Sequence, residues 1–525
     1  MFWADRIAEE VKKKYGAGAP VLVRDEKTVS GRVHVGSMRG VAIHATVHEA
    51  LTDAGVQSIF KWEHNDFDPM DDIPVYLDRA MYEEHLGKPL KYIPSPEAGY
   101  ASYAEYFAKE FQQVIENAGW HPEFYYGSEL YENGSMDGVI REALEHAQDI
   151  VRIYKEVSGS QREDAWLPIN VICPQCGKVT TTEASNFDGE TVEVHCRVDK
   201  APYTKGCDFR GRVSPFGGKA KLPWKVEWPA KWKVNGVKVE GAGKDHSTKG
   251  GSRDVAKHIS DEVFHYETPF DVPYEFFLVG GKKMSSSKGR GSSASQIAAL
   301  VPAKIFRLAL LGKEINQAIN FDPEGDTIPV LYDQYDKLAL GYQTVKDDGY
   351  ARLFELIHPI TPRSNLGVGF VMRFSQVAFI VQMPHMNLET EAERLKGSPL
   401  TESDKTELHE RAEYAKRWLA EYAPEKFVFK LQDEMPEGAK QLSDVQKKAM
   451  QTLLGYISNA DGMPSGEDLH HFLHGMKESE PIAPADLFSA IYLLFLGKSM
   501  GPKAGWFLSV LPKEFVTKRL QEATA

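Results

Sequence analysis

A strand–loop–helix–strand pattern near the N-terminus constrains the fold more than any other feature of the chain. Residues 20–24 (PVLVR) are predicted to form a strand, 25–35 a polar loop, and a helix begins at Gly36 and leads into a second strand at 56–62. A helix between two strands of one sheet makes a right-handed crossover, so the strands should be parallel. Ligands of such sheets bind at the carboxyl ends of the strands, which indicates a site at the loop and at the acidic segment 63–68.

Length and composition are typical of a multidomain globular protein. At roughly 150 residues per domain, the 525 residues predict three or four domains. The mean hydropathy is −0.39, and no apolar stretch approaches the roughly 20 residues of a membrane helix, so no membrane association is expected. The first 16 residues carry acids among apolar positions, as in an amphipathic helix and unlike a signal peptide, and a cytoplasmic location is expected. The net charge of −13 argues against a protein that coats nucleic acid, but a local cationic patch could still bind RNA.

The order of these elements predicts an α/β Rossmann-like catalytic domain with an inserted α/β zinc-ribbon region, followed by an all-α C-terminal domain. The catalytic domain is expected at 1–300, with an insertion at about 85–220 whose zinc-ribbon-like part covers 170–212. A connecting segment is expected at 301–345 and a helical domain at 346–525.

Two helices have explicit local signals. Aromatic and aliphatic residues spaced four apart from Tyr103 to Ile115 predict a helix that stops at Gly119. Ser443 and Gln446 form the capping-box pattern that precedes a helix in the C-terminal region.

The first chemical signal is the segment SGRVHVGSMRG at 30–40. The start of a helix offers free N–H groups and a partial positive charge to phosphate oxygens. Gly36 lets a phosphate or base approach the backbone, and His34 can donate a hydrogen bond to a phosphoryl group. The plainer alternative is a glycine that caps the helix beside an incidental histidine.

The second signal is the basic segment GGKKMSSSKGRGSS at 280–293. Lys282, Lys283, Lys288 and Arg290 place four positive charges in nine residues of an acidic chain. A cationic loop after a strand suits a leaving pyrophosphate, on which negative charge grows during displacement at the α-phosphorus. The alternative is a solvated basic linker.

The third signal is the glycine-rich segment GAGKDHSTKGGSRD at 241–254. Strand character returns before it, at 234–240, and after it, at 273–281. Asp245 could accept hydrogen bonds from ribose hydroxyls, as an acidic residue does in dinucleotide-binding folds.

Together the three segments resemble the class I aminoacyl-tRNA synthetases. H-V-G-S at 34–37 is similar to their His-Ile-Gly-His signature, and K-M-S-S-S-K at 283–288 to their Lys-Met-Ser-Lys-Ser signature. MFWADRIAEE at the start, KLPWKVEWPAKW at 221–232 and GKSMGPKAGWFLSVL at 497–511 resemble, more narrowly, class I lysyl-tRNA synthetase. The resemblance runs from end to end of the chain.

The resemblance implies an ATP site and a lysine site. Catalytic roles are implied for His34, Gly36, Ser37, Lys283 and Lys288. Further ATP contacts are implied for Ser30, Val33, Gly243, Asp245, His246, Met284, Ser285, Ser286 and Ser287. Substrate contacts are expected at Thr28, Asp66, Trp228, His246 and Tyr274.

The chain departs from the family pattern at several of these positions. Ser37 stands where many members carry Asn or His, and Ser286 stands at the second Lys of the general signature, whose work Lys288 would do. Val29 replaces a common Pro. Glu26 stands where the archaeal enzymes have Gly in the amino-acid pocket, so a charged residue either changes this pocket or turns to solvent.

A lysine site needs an acidic or polar cage for an ammonium group whose pKa lies near 10.4, and apolar walls for its stem. The acidic candidates are Glu63, Asp66, Asp68 and Glu227, among which the sequence does not discriminate. The aromatic candidates are Trp224, Trp228, Trp232 and Tyr274, for most of which core packing is the competing interpretation.

All four cysteines fall within 35 residues. Cys173 and Cys176 form a C-P-Q-C turn of the kind that points two thiolates at one metal, and Cys196 and Cys207 supply a second, more widely spaced pair. This pattern predicts structural Zn²⁺ remote from ATP, because a four-ligand site leaves no open position. The alternative is a ribbon with reduced thiols and no metal.

The activity that the resemblance implies is a two-step ligation. The carboxylate of L-lysine attacks the α-phosphorus of ATP with Mg²⁺, and the terminal ribose hydroxyl of tRNA(Lys) then displaces AMP from lysyl-adenylate. The helical domain would read the anticodon by stacking and edge contacts, and a monomer is expected. The alternatives are a synthetase for glutamate or glutamine, a catalytically silent RNA-binding relative, and a nucleotidyltransferase that makes small-molecule adducts.

Overall fold

The structure is a computed structural model of the chain. It describes residues 1–281, 292–344, 348–358, 366, 369–383, 386–479 and 481–524. These residues form two compact units. Unit 1 comprises Met1–Asp322 and Gly341–Leu366, and unit 2 comprises Pro323–Leu340 and Gly367–Ala525.

The described residues contain the following helices: α1 (Trp3–Tyr15), α2 (Met38–Asp53), α3 (Arg79–Tyr82), α4 (Tyr103–Asn117), α5 (Gly127–Glu132), α6 (Asp137–Glu145), α7 (Ala147–Ser158), α8 (Trp224–Asn235), α9 (Ser252–Glu262), α10 (Ala294–Ala298), α11 (Ala303–Leu311), α12 (Thr327–Thr344), α13 (Asp348–Leu356), α14 (Phe374–Ile380), α15 (Leu388–Lys396), α16 (Glu402–Glu421), α17 (Asp444–Asn459), α18 (Gly466–Ser479), α19 (Pro484–Leu496), α20 (Ala504–Ser509) and α21 (Lys513–Thr524). The strands are β1 (Val21–Thr28), β2 (Ser58–Asn65), β3 (Glu123–Tyr126), β4 (Asn170–Val171), β5 (Thr182–Ser185), β6 (Val192–Cys196), β7 (Arg210–Val213), β8 (Ala220–Lys221), β9 (Phe277–Val279) and β10 (Ile319–Phe321).

Unit 1 is built on a parallel sheet in the order β1-β2-β3. β1 and β2 pair in parallel over eight residues, and α2 connects them, as the N-terminal pattern predicts. On the other edge of β1, Val239 makes parallel bridges to Val23 and to Phe270, so the chain continues the sheet on both sides of β1. This order places a topological switch point beside β1, where ligands of doubly wound folds bind.

β1 is longer than the sequence predicts. Asp25, Glu26, Lys27 and Thr28, expected in a loop, continue the strand and pair with residues 62–65 of β2. Three charged residues in a row argue against a buried strand when only local pattern is considered. They are accommodated because distant elements supply partners for two of them, as described below.

The α-helix after β1 begins at Met38, two residues later than predicted. Val35–Ser37 form a single 3₁₀ turn, and α2 then runs from Met38 to Asp53 with all of its first ten residues buried. Arg39, fully buried, donates to the backbone carbonyls of Leu310 and Glu314 and so fixes the start of α2 against the end of α11 and the segment that follows it.

The interruption of the sheet predicted at about 85–220 is only partial, because β3 lies within it and pairs in parallel with β2. α4 covers the segment predicted from Tyr103, with the side chain of Ser102 capping its start. Further on, β5, β6 and β7 form a small antiparallel sheet, and β4 pairs with β8. These short strands lie beside the four cysteines.

The described elements of unit 2 are helices, as predicted for the C-terminal region: α14 to α21 and most of α12. Ser443 and Gln446 form the predicted capping box at the start of α17. The core of this unit gathers apolar residues of α17, α18, α19, α20 and α21. Among the described residues, no helix has the length and apolar character needed to span a membrane.

Candidate active site

A cavity of about 460 Å³ opens in unit 1 at the carboxyl end of β1. Its walls come from three stretches of chain that are far apart in sequence, 25–39, 224–246 and 274–278, and from Trp62 of β2. It includes most of the described residues singled out from the sequence, namely Thr28, His34, Gly36, Ser37, Trp228, Gly243, Asp245, His246 and Tyr274. Two of the three segments recognised from the sequence, the histidine motif and the glycine-rich segment, therefore meet at this cavity.

One wall of the cavity is formed by the residues expected to contact phosphate, His34, Gly36 and Ser37. His34 is extended and forms an antiparallel bridge with Ser293, and the N–H of Ser37 donates to the His34 carbonyl at 3.0 Å. The predicted contacts Ser30 and Val33 lie in the same loop but do not line the cavity. The Ser30 carbonyl accepts from the Tyr103 hydroxyl, and the Val33 carbonyl accepts from the Ala294 N–H.

Close backbone packing positions the glycine-rich wall. Gly241 donates its N–H to Nε2 of buried His44 at 2.7 Å, and a Cβ at Gly241 would lie 2.0 Å from the Val272 carbonyl oxygen. Gly243 bridges Tyr274, and the His246 N–H donates back to the Gly243 carbonyl at 2.9 Å. These contacts hold residues 243–246 at the mouth of the cavity.

Three tryptophans of α8 have different surroundings. Trp224 and Trp228 line the cavity, and the His246 ring lies edge-on to Trp224 at a centroid distance of 5.2 Å. Trp232 is fully buried beneath them. The indole N–H groups of Trp228 and Trp232 donate to the two oxygens of Glu240, at 2.9 and 2.8 Å. Trp232 therefore has a role in core packing, whereas Trp228 both contacts the core through Glu240 and lines the cavity.

A buried network of charged side chains lies directly beneath the cavity. Arg24, with no exposed surface, donates to Tyr125 and Glu240 at 2.9 Å, to Glu63 at 2.5 Å, and also to Glu26. Burial alone would raise the pKa of Glu63, but Lys231 and Arg24 outweigh it and hold that pKa at about 2. The network therefore keeps Glu63 ionised in the protein interior.

The same network extends through α8 toward Thr28. The Lys231 ammonium lies 2.5 Å from Glu63 and 3.4 Å from Glu227. Glu227 also contacts Lys221, whose ammonium is 3.1 Å from Asp68. Three of the acids that the sequence offers for the substrate ammonium, Glu63, Asp68 and Glu227, are thus engaged by the chain's own cations. The Thr28 hydroxyl completes the series by donating to Asp68 at 2.5 Å.

Asp66, the fourth acid, lies outside the cavity. Its two oxygens accept from the backbone N–H and the hydroxyl of Ser128, at 2.8 and 2.7 Å, so it caps the start of α5. Burial raises the pKa of Asp66 to about 6, and the bonds from Ser128 offset that rise only in part. The structure gives Asp66 a local structural role and does not bring it to the other predicted substrate contacts.

The basic signature falls outside the described residues. It comprises Lys283, Met284, Ser285, Ser286, Ser287 and Lys288, and their expected contacts with the triphosphate stay predictions from the sequence.

The four cysteines converge although the sequence separates them by up to 34 residues. The sulfurs of Cys173, Cys176, Cys196 and Cys207 all lie within 4.8 Å of one another, with 3.5 Å between Cys173 and Cys207 and 3.7 Å between Cys176 and Cys196. Zn–S bonds of about 2.3 Å in a tetrahedron place sulfurs about 3.8 Å apart. The adjacent His195 contacts Asp208 and is not part of this group.

Comparison with known proteins identifies the family to which the chain belongs. A family model described as tRNA synthetases class I (K) matches residues 1–359. The chain is 34% identical to a lysine–tRNA ligase of Methanosarcina barkeri, over 99% of this chain and 97% of the relative. It is 34% identical to lysine–tRNA ligase 1 of Methanosarcina acetivorans (100% and 98% covered) and 31% identical to the lysine–tRNA ligase of Methanocaldococcus jannaschii (99% of both).

The chain belongs to the class I lysyl-tRNA synthetase family.

As a member of this family, the protein attaches L-lysine to tRNA through a lysyl-adenylate, with ATP and Mg²⁺ as in the rest of the class. This confirms the activity that the resemblance along the whole chain implies. The alternative of a synthetase for glutamate or glutamine is not supported.

Several cavity residues of this synthetase were not singled out from its sequence. Asp25, Lys27 and Glu240 line the cavity together with the buried Arg39. Asp25 could have been found from its place between a strand and a helix, and Arg39 from the M-R-G that follows the histidine motif. Nothing in the local sequence marks Glu240, because its partners Arg24, Trp228 and Trp232 come from other elements.

Proposed function

We propose that the cavity at the end of β1 is where lysine and ATP react to form lysyl-adenylate. One observation carries this proposal, namely that the histidine motif, the glycine-rich segment and, apart from Asp66, the residues expected to contact lysine line the same cavity. Neither step of the reaction requires a protein nucleophile. Catalysis then rests on holding the lysine carboxylate in line with the α-phosphorus and on stabilising the charge that develops there.

On the ATP side, His34, Gly36 and Ser37 would face the phosphates at the start of α2. Gly243, Asp245 and His246 would contact the adenosine from the opposite wall, with Asp245 accepting from ribose hydroxyls. Lys283 and Lys288 would hold the pyrophosphate while Mg²⁺, when bound, neutralises phosphate charge. Mg²⁺ enters with the triphosphate in this proposal, and no side chain is assigned to it.

On the lysine side, Thr28, Trp228 and Tyr274 would line the amino-acid pocket. The aromatic faces offer apolar surface to the four-carbon stem of the substrate. Tyr274 lies close to Gly40, where a Cβ would be 2.7 Å from the tyrosine oxygen, so the absence of a side chain at Gly40 lets the ring approach α2. Asp66 is not carried into this proposal, because Ser128 engages both of its oxygens.

We also propose that the four cysteines hold a structural Zn²⁺. The separations between their sulfurs fit a tetrahedral site, and four thiolates leave no position for a substrate. When bound, the ion would clamp the turn at Cys173 and Cys176 onto β6 and the loop before β7. Gly206 supports this fit, since a Cβ there would lie 2.2 Å from the Arg197 carbonyl oxygen.

For the second step, the helices of unit 2 would bind the anticodon region of tRNA(Lys), and residues 301–345 would contact its stem. The domains would be those predicted from the sequence, with limits at 1–300, 301–345 and 346–525, and the protein would act as a monomer. Support comes from the all-helical composition of unit 2 within the described residues and from the match to curated lysine–tRNA ligases along the whole chain.

The test is lysine-dependent ATP–pyrophosphate exchange, measured with and without total tRNA. We expect exchange with lysine and not with glutamate, arginine or ornithine. His34→Ala should reduce exchange by about 10²- to 10³-fold, the effect of removing one donor to a developing charge. His121→Ala, an exposed histidine outside the cavity, is the matched control and should retain full activity. Exchange with no amino acid, even with tRNA present, would instead favour a silent RNA-binding relative.

A further inference from the structure

Glu26 is the member of the buried charge network that has an oxygen left for a ligand. Its Oε2 contacts Arg24 and lies 3.5 Å from Lys231, whereas its Oε1 has no hydrogen-bond or ion-pair partner in the described part of the chain. Glu26 also lines the cavity. An ionised carboxylate can accept about four hydrogen bonds on its two oxygens. Glu26 has two such contacts, both on Oε2, so Oε1 can accept further hydrogen bonds.

The other carboxylates of the network are occupied on both oxygens. Glu63 accepts from Lys231 on one oxygen and from Arg24 and Tyr125 on the other. Glu227 accepts from Tyr131 and Lys221, and Asp68 accepts from Thr28 and contacts Lys221. Glu240 accepts from Arg24 and from two indole groups. Glu26 Oε1 is therefore the carboxylate oxygen of this set that has no partner among the described residues, and Glu26 lines the cavity.

The balance of charge in the network favours a further cation. Arg24, Lys221 and Lys231 supply three positive charges, and five carboxylates face them. Burial raises the pKa of Glu26 above its usual value, against the opposing effect of Lys231 and Arg24. An ammonium group placed at Oε1 would compensate that cost of burial and keep Glu26 ionised.

The position of Glu26 along β1 fits the length of a lysine side chain. Residues two apart on a strand face the same side of the sheet, so Glu26 and Thr28 lie on one face. Glu26 is about 6.6 Å further than Thr28 from the loop that carries His34 and Gly36. A substrate whose carboxylate points to the loop would extend its four-carbon stem past Thr28 and Trp228. Its terminal ammonium would then arrive at Glu26.

We propose that Oε1 of Glu26 accepts a charge-assisted hydrogen bond from the ε-ammonium of substrate lysine and so determines the specificity of activation. Arg24 and Lys231 hold Glu26 in place through Oε2, and Glu63 holds Lys231 in turn. This inference rests on the proposed location of adenylate formation and adds the residue that distinguishes lysine from uncharged amino acids of the same length.

Glu26→Gln tests the proposal, because it keeps the size of the side chain and removes its charge. We expect the KM for lysine in the exchange assay to rise about 10- to 100-fold, the value of one hydrogen bond to a charged group, with little change in kcat or in the KM for ATP. Inhibition by norleucine, which lacks the ε-ammonium, should not weaken. Equal loss of affinity for lysine and norleucine would overturn the assignment.

Glu227→Gln is the matched control, since it removes a charge from the same network without an oxygen open to the cavity. We expect it to lower the denaturation midpoint and to leave the KM for lysine within about threefold. A rise in KM equal to that of Glu26→Gln would show that net charge, and not contact with Glu26, governs lysine binding, and the proposal would be wrong.

Glu26→Asp keeps the charge and provides a second test if the glutamine variant does not fold. Its carboxylate is one methylene shorter, so homolysine, one methylene longer than lysine, should gain relative to lysine as a substrate. An unchanged ratio of the two kcat/KM values would contradict direct contact. Wild-type enzyme that exchanges with lysine while both variants behave like wild type would refute the role of Glu26 alone, whereas wild type without any exchange would refute the proposed function itself.

Discussion

Replacing Lys231 by methionine isolates the contribution of the buried network to stability. Lys231 is almost completely buried, and its ammonium lies 2.5 Å from Glu63, 3.4 Å from Glu227 and 3.5 Å from Glu26. Methionine has a similar length and no charge, so the substitution leaves three carboxylates short of a cation without opening a large cavity. Of these, Glu63 is fully buried and depends most on the missing partner.

The expected loss is about 3 kcal/mol in the free energy of unfolding of unit 1. Removing one partner of a buried ion pair generally costs about 3–5 kcal/mol, because a charge is left uncompensated in the interior. The lower end applies here, since Glu63 retains Arg24 at 2.5 Å and the Tyr125 hydroxyl at 2.7 Å.

Urea denaturation followed by tryptophan fluorescence measures this loss. Lys233→Met on the same helix is the matched control: its ammonium pairs with Glu142 at the surface, 2.8 Å away, and its removal should change stability by no more than about 1 kcal/mol. Adding Glu63→Gln to Lys231→Met should recover about 2 kcal/mol, because the uncompensated charge is gone. A Lys231→Met variant as stable as Lys233→Met, or a double variant without recovery, would refute the reasoning.

Three further predictions concern the metal, pH and the basic signature. Purified protein should contain one Zn²⁺ per chain, and Cys176→Ser should lower both the metal content and the denaturation midpoint; full thermal stability after complete chelation would contradict a structural ion. Because the pKa of Asp66 is raised to about 6, the folded state binds a proton that the unfolded state releases, so this residue adds stability as pH falls from 7 toward 4. Asp66→Asn should remove that increment, which has a slope of at most about 1.4 kcal/mol per pH unit, and an unchanged profile would show that another group titrates. Lys283→Ala and Lys288→Ala should slow adenylate formation more than they weaken lysine binding, and equal losses in both would count against a role in holding the triphosphate.

The contribution of Glu63 to folding stability should change with acidification in the opposite direction to that of Asp66. Its pKa is lowered to about 2, so it stabilises the folded state at pH values above its ordinary pKa, and this contribution is lost as pH falls toward 2. The Asp66→Asn variant should therefore lose stability monotonically on acidification, whereas wild type should show a shallow maximum in stability first.

The sequence predicted the elements whose signals are local. The helix from Tyr103, the capping box of Ser443 and the β1–α2–β2 unit follow from periodicity and from capping residues, and all are present. The convergence of Cys173 with Cys207 followed from metal-ligand chemistry, which requires the thiols to meet whatever their spacing.

The features that sequence reasoning missed depend on partners distant in the chain. Glu26 and Asp25 resembled loop residues because only Arg24 is a local partner, while Lys231 and His44 come from other elements. Asp66 was expected near the substrate because it follows a strand, and only the parallel pairing of β3 brings Ser128 to it. Such contacts follow from register and crossover geometry, which a single sequence does not reveal.

The bridge between Val23 and Val239 has a consequence for synthesis of the protein. About 210 residues separate the end of β1 from the segment that covers its second edge, and a ribosome adding 5–20 residues per second needs about 10–40 s to make them. Through that interval β1 can pair with β2 on one side only, and its other edge is open to strands of neighbouring nascent chains. Ribosome-bound chains that end before residue 239 should therefore aggregate unless a chaperone binds them. Chains extended past residue 280 should remain soluble without a chaperone.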